Sequence, residues 1–244
     1  MALKRHAEKN WVYRQPPEPY MPVPTAGIFL AATASGKTST AVALLCGKGA
    51  PYRDVFDSIW VFSPSAKIDS AYEPLEKHIK TLKNKGGLIG EWDLAKLTEI
   101  IDEQRKVTAE EKLRNQKTPL TSCLICLDDW SDRPDLMKGG IITQLFLRNR
   151  HYGLTVWVLS QRYCSLSLTC RVNARWIIIW RLRSQKEIDC VMEELSALYP
   201  VKTLMEMYEL AISDEPYSFL YVNMSARQKE EMFHIRFEEK LQVE

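Results

Sequence analysis

Residues 26 to 38, Ala-Gly-Ile-Phe-Leu-Ala-Ala-Thr-Ala-Ser-Gly-Lys-Thr, constrain this chain more than any other stretch. An apolar run ends there in a loop of small residues that closes on Gly36, Lys37 and Thr38. A strand, such a loop and then a helix surround a phosphate with backbone N–H donors and the positive end of the helix. In that arrangement Ala32, Thr33, Ala34, Ser35, Gly36, Lys37, Thr38 and Ser39 cradle the anion, Lys37 reaches the β/γ oxygens, and Thr38 ligates Mg²⁺. The full pattern G-x-x-x-x-G-K-[ST] puts glycine at position 31, where this chain has Ala31. Alanine fits only if that position keeps negative φ, because a Cβ makes the left-handed region costly. Gly-Lys-Thr alone recurs by chance, so other motifs must decide.

The second motif is Thr121-Ser-Cys-Leu-Ile-Cys-Leu-Asp-Asp-Trp130, an apolar run ending in paired carboxylates. It reads as a buried strand with Asp128 and Asp129 at its C-terminal end. In a nucleotide-hydrolysing site one carboxylate holds the Mg²⁺ shell and its neighbour orients or deprotonates the attacking water. Asp128 fits the metal role and Asp129 the base role; the competing reading is a strand running into a polar turn, where Asp is common. A third strand, Thr155-Val-Trp-Val-Leu-Ser-Gln161, ends in a polar residue. Parallel strands open their C-termini on one ligand-binding edge, so Gln161 is placed to face the γ-phosphate, against the alternative of a solvated loop residue.

The 244 residues suffice for one α/β domain with a good core. With 45% hydrophobic and 26% charged residues the composition is that of a folded soluble protein. A net charge of +2 does not mark a nucleic-acid binder, so any DNA contact must come from locally clustered cations. The six cysteines sit mostly in apolar runs and no secretory signal is legible, which predicts reduced thiols inside a cell. Cys123 and Cys126 lie three apart on a strand and so point to opposite faces, which argues against zinc. Apolar runs such as 176–180 fall far short of the about 20 residues that cross a bilayer.

Residues 1–25 carry five prolines, with Lys4, Arg5 and His6 near the start, and read as an extended arm ahead of a domain over 26–244. A disordered tail is preferred for it over an arm packed on a neighbouring subunit. Strands are expected at 26–32, 58–63, 121–128, 155–160 and 175–181. Helices are expected at 37–47, 139–149, 185–196 and 201–211, with 70–115 helical or irregular. That alternation predicts an α/β fold with a mainly parallel sheet and helices on both faces. Segments 219–223 and 232–237 read as two closing strands, an antiparallel hairpin at one edge. Lys77, Lys80, Lys83 and Lys85 precede Gly86 and Gly87. The run reads first as solvated surface, and alternatively as a basic loop on a phosphate backbone, with glycines that let it move.

With these strands in place, the order of motifs resembles the FtsK/HerA superfamily of P-loop ATPases, and within it the genome-packaging ATPases of poxviruses, other large DNA viruses and virophages. The segments that carry the resemblance are 32–38, 124–129, 150–161 and 170–180, the last two being the more specific. The likeness runs from residue 26 to about 195. It implies a P-loop NTPase fold, ATP and Mg²⁺ as cofactors, and a homo-oligomeric ring, usually of six subunits, with ATP at subunit interfaces. Double-stranded DNA passes through the centre into a capsid, so viral capsid proteins are implied partners and a membrane is not. The setting implied is the host cytoplasm or a viral factory, with association with the virion a further option. Catalysis then rests on Lys37, Asp129 and Gln161, with an arginine from the neighbouring subunit, for which Arg175 and Arg171 are the first candidates and Arg148 and Arg150 the next. Two features depart from the family pattern: Ala31, and Asp-Asp where FtsK-type translocases carry Asp-Glu.

Two other readings stay open. A small-molecule or nucleoside kinase also begins with a phosphate loop on an α/β sheet, although no Arg-rich lid segment stands out. A nucleotide-binding assembly protein that hydrolyses little is the other, kept alive by Ala31. No Asn-Lys-x-Asp base-reading motif for GTP is present.

Overall fold

The computed structural model describes residues 11–114, 118–130 and 132–242. The sheet grows outward from β1 (Ala26–Leu30), all five residues of which are buried. It lies between β5 (Leu154–Ser160) and β6 (Trp176–Ile179), parallel to both. Beyond β5 come β4 (Cys123–Asp128), β2 (Ser58–Phe62) and β3 (Gly87–Ile89), also parallel. Beyond β6 the direction reverses through β7 (Leu220–Asn223), β8 (Phe233–Ile235) and β9 (Glu239–Lys240), giving the order β3-β2-β4-β5-β1-β6-β7-β8-β9. Where the sequence suggests a closing hairpin, three antiparallel strands form. The two-residue β9 is too short to register as a pattern.

Strands covered on both faces must be apolar on both, so β4 and β5 read as continuous hydrophobic runs with every residue buried. Alternation along β1 sends Ala26, Ile28 and Leu30 into one layer and Phe29 and Ala31 into the other. The first layer is covered by α3 (Leu94–Leu113), α5 (Gly140–Tyr152), α6 (Leu168–Asn173), α7 (Gln185–Leu195) and α8 (Val201–Ser213). The second layer holds Trp157, Trp176 and Trp180 under α1 (Lys37–Cys46) and α2 (Glu73–Ile79). A short helix, α4 (Pro134–Met137), follows the acidic strand. Cys123 and Cys126 belong to opposite layers.

Two expectations need correction. Residues 11–25 are not a loose tail but pack on their own domain. Tyr13, Met21 and Val23 are buried in the second layer, Tyr13 bridges Leu120, the Tyr52 hydroxyl donates to the Met21 carbonyl, and Arg14 pairs with Asp57. Apolar residues interleaved with the prolines supply the burial that holds this stretch down. Residues 1–10, with Lys4, Arg5 and His6, lie outside the described residues. The glycine pair after the lysines is not a hinge: Gly87 opens β3, and a Cβ on Gly86 would lie 2.5 Å from the Ile59 carbonyl oxygen. Glycine is there so that the edge strand can approach its neighbour.

Candidate nucleotide-binding and catalytic site

Strand register assembles the site. Leu30 pairs with Ser160, and Asp128 with Leu159. The loop after β1, the carboxylate after β4 and the glutamine after β5 therefore leave the sheet at one edge, within a residue of each other. Parallel strands in α/β folds bind ligands at this edge. The loop turns through two left-handed residues, Ala34 at φ 63° and Gly36 at φ 85°, and Gly36 caps α1. Ala31 is not among the positive-φ residues, so the alanine in place of glycine sits where a Cβ is tolerated. The strain moves instead to Ala34, the kind of cost that functional loops carry.

The side chains form one connected set. Lys37 is buried, with its Nζ 3.0 Å from Asp128 Oδ1 and 3.8 Å from Asp129 Oδ1. The Thr38 hydroxyl donates to Asp128 Oδ2 at 2.8 Å, and the Tyr72 hydroxyl donates to the same oxygen. Asp128 is almost fully buried, whereas the Asp129 side chain is 44% exposed. Asp129 takes a positive φ of 64°, and its Oδ1 accepts from Gln161 Nε2 at 2.6 Å. Gln161 Oε1 in turn accepts from the Thr33 hydroxyl at 2.9 Å. All of these residues but Tyr72 line a cavity of about 270 Å³ that also takes in Ser65, Asp69 and Ala71.

A buried carboxylate without a counter-ion is costly, and here Lys37 supplies the charge while Thr38 and Tyr72 supply hydrogen bonds. Burial, followed by the neighbouring Asp128 charge, holds the Tyr72 hydroxyl protonated and pushes its pKa far up, so it keeps the proton that it donates to Asp128. Burial together with Asp128 likewise pushes the Cys126 thiol up, which keeps it neutral. Thr38 Oγ1 and Asp128 Oδ2, 2.8 Å apart, are the hard oxygen donors that Mg²⁺ prefers, so the donor set fits that ion.

Lys37, Thr38, Asp128, Asp129 and Gln161 are thus brought together as the sequence suggested. The arginines are not. Arg171 Nη2 is 2.8 Å from Glu194 Oε1, with the guanidinium over the Tyr163 ring, and it is largely buried. Arg171 is thus engaged inside its own subunit. Arg175 is exposed at the entry to β6, its Nε donating to Ser225 Oγ at 3.2 Å, at the sheet edge opposite the loop. Arg148 and Arg150 are exposed on α5. Sequence reasoning missed Tyr72, Ser65 and Asp69. Ser65 and Asp69 follow β2, a parallel strand ending at the same edge, and that position was the available signal.

A phosphate loop after the central strand, and an acidic pair on the strand beyond the neighbouring one, define this chain as a P-loop NTPase. The chain belongs to the poxvirus A32 protein family, which matches residues 24–231 and whose members are genome-packaging ATPases. No curated protein matches it in sequence. Among solved structures it is similar to the genome packaging NTPase B204 of Sulfolobus turreted icosahedral virus 2 bound to ATP-gammaS. The TM-score is 0.55 at 14% identity, over 87% of this chain and 96% of that one. It is also similar to B204, the DNA-packaging ATPase of Sulfolobus turreted icosahedral virus, with a TM-score of 0.57 at 15% identity over the same shares. ATPases 2 and 3 of EssC from Geobacillus thermodenitrificans give 0.56 at 14% identity, over 90% of this chain and 40% of that one. At these identities the solved structures speak for the fold.

Proposed function

We propose that this chain hydrolyses ATP at the Lys37 to Gln161 site and uses the energy to drive double-stranded DNA into a viral capsid. The observation that carries the reading is the link from Asp129 through Gln161 to Thr33. It is a half-exposed carboxylate held by a neutral side chain that also touches the phosphate loop. That arrangement suits activation of water, because the carboxylate can take a proton while Gln161 reports on the occupant of the loop. The B204 proteins are described with ATP-gammaS bound and as DNA-packaging, and the shared fold supports carrying both to this chain.

In this reading the loop amides of 32–37 hold the phosphates and Lys37 swings from the carboxylates onto the β/γ oxygens. Thr38 and Asp128 hold Mg²⁺, which when bound neutralises charge on those oxygens. Asp129 orients and deprotonates the attacking water. Arg175, which its own loop cannot use, reaches the phosphate of an adjoining copy, so the site is completed in a ring, usually of six subunits. Lys77, Lys80, Lys83 and Lys85 supply cations for DNA. The protein works where capsids are filled, in the host cytoplasm or the viral factory.

The test is steady-state ATP hydrolysis with and without double-stranded DNA, for the natural chain and Asp129→Asn. DNA-stimulated hydrolysis is expected, and Asp129→Asn should bind ATP but turn it over about 100-fold or more slowly, the usual contribution of a general base. Hydrolysis by Asp129→Asn at the natural rate would remove the base, and a rate near zero with DNA present would favour an assembly role.

A further inference from the structure

The described site handles phosphates and leaves the nucleoside unplaced. Asp128, Thr38 and Gln161 fix the end where the terminal phosphate is handled, on the β4 and β5 side of β1. A triphosphate lying along the loop therefore carries its nucleoside the other way, towards β6 and β7. On that side a separate cavity of about 480 Å³ opens against the loop, walled by Ala34 and Ser35, by Trp180 and Arg181 after β6, and by Tyr217 and Ser218 after α8. A third cavity touches the loop beside Gln161, but it is lined by Arg162, Arg183 and Lys186 and offers no aromatic ring.

Tyr217 is the third residue of a β-turn, Glu215-Pro216-Tyr217-Ser218, closed by the Ser218 amide on the Glu215 carbonyl; such a turn needs a positive φ there and ordinarily takes glycine or asparagine. Tyr217 is 71% exposed and outside both core layers, and it holds a backbone φ of 66°. The turn accounts for the backbone angle; a large, exposed ring in place of the small residue such a turn prefers, set beside the phosphate loop, points to a ligand. The surroundings hold it there. Trp180 Nε1 donates to the Tyr217 carbonyl at 2.9 Å, and Arg236 ties the preceding Asp214 and Glu215 at 3.3 Å and 2.6 Å. The ring stands at the mouth of the loop, since a Cβ on Gly36 would lie 3.5 Å from Tyr217 Cδ1. Just beneath the same wall the buried Ser218 hydroxyl has no hydrogen-bond partner.

We infer that Tyr217 is the platform on which the base of a bound purine nucleotide stacks, the inference resting on the reading of the loop as a nucleotide site. A fixed aromatic face binds a base at little entropic cost because it is already in position. Stacking is indifferent to the exocyclic groups, so this wall selects for a large flat base and leaves adenine against guanine to other contacts.

The experiment compares Mg²⁺-ADP with Mg²⁺-tripolyphosphate, which has the phosphates and no base, by calorimetry on the full chain. Tyr217→Ala should bind ADP about tenfold or more weakly, the scale of one base–aromatic stack, and bind tripolyphosphate as the natural chain does. Tyr217→Phe and Tyr217→Trp should keep ADP affinity within about threefold, because both preserve the ring face. Unchanged tripolyphosphate binding also shows that the alanine variant is folded. The assignment is overturned if Tyr217→Ala binds ADP like the natural chain, or loses both ligands equally. If the natural chain itself binds neither ligand, the nucleotide reading beneath it fails instead.

Discussion

Lys37 is the residue on which most of the local electrostatics turns, because it neutralises Asp128 from 3.0 Å in an almost water-free setting. Its removal should do two things. Lys37→Ala should lose nucleotide binding, for want of the one cation on the phosphates, and should cost about 3 kcal/mol of stability by stranding the buried carboxylate. Urea denaturation checks the second effect, and adding Asp128→Asn should recover most of it; an unchanged midpoint for Lys37→Ala alone would mean the pair does not hold the site. Lys37, Thr38, Asp128, Asp129 and Gln161 could be found in the sequence because each sits at a fixed offset from an apolar run. Tyr72 could not. Its hydroxyl meets Asp128 only because the chain folds back after β2, and no spacing encodes a contact between residues 56 positions apart.

Among the elements, those with long apolar runs were legible, since β1, β4 and β5 bury every residue and carry an uninterrupted signal. The three-residue β3 lies at the sheet edge, only half buried, within a stretch otherwise helical, so its pattern is too short to read. The six-residue α6 is set by the Ser167 hydroxyl accepting from the Cys170 amide, a local cap with no amphipathic period to show it. That helix carries Arg171 inward to Glu194 and leaves Arg175 outside. The Arg175 amide donates to the Ala26 carbonyl at the start of β1, so the length of that strand, about 16 Å at the usual rise, separates it from its own loop. In the proposed ring, Arg175 is therefore assigned to the site of another copy. Mixing Arg175→Ala with Lys37→Ala chains should restore part of the ATPase activity that each lacks alone, since some interfaces then join an intact loop to an intact arginine. If Arg175→Ala is active by itself, or the mixture stays silent, the role passes to Arg148 or Arg150.

At the scale of the molecule, layer order and the parallel core followed from the alternation of strands and helices, whereas the anchoring of residues 11–25 did not. Prolines there concealed Tyr13, Met21 and Val23, which spacing alone does not mark as a core face. Stability should also depend on pH through two histidines. Burial lowers the pKa of both His78 and His234, Arg53 adding to the effect at the first and Lys240 at the second, and each has a ring nitrogen without a partner. A folded pKa below the unfolded one means stability present above about pH 6.5 and lost as pH falls through that value towards the folded pKa. Melting temperature should drop between pH 7 and pH 5.5, and His234→Gln with His78→Gln should flatten that part of the curve; equal slopes would acquit them. The nine-stranded sheet, packed on both faces, has a mechanical consequence. Close-packed layers do not deform gradually, so a change of bonding at Asp129 and Gln161 cannot be absorbed by bending the strands. In the proposed ring the subunit would then behave as a stiff lever, its edge loops sensing the fuel and its whole body turning against its neighbours. Hydrogen exchange in ADP and ATP-analogue states should differ in the edge loops at 31–36, 63–72 and 161–167 and be the same in β1, β4 and β5; slackening of those strands between states would show a spring in place of a lever.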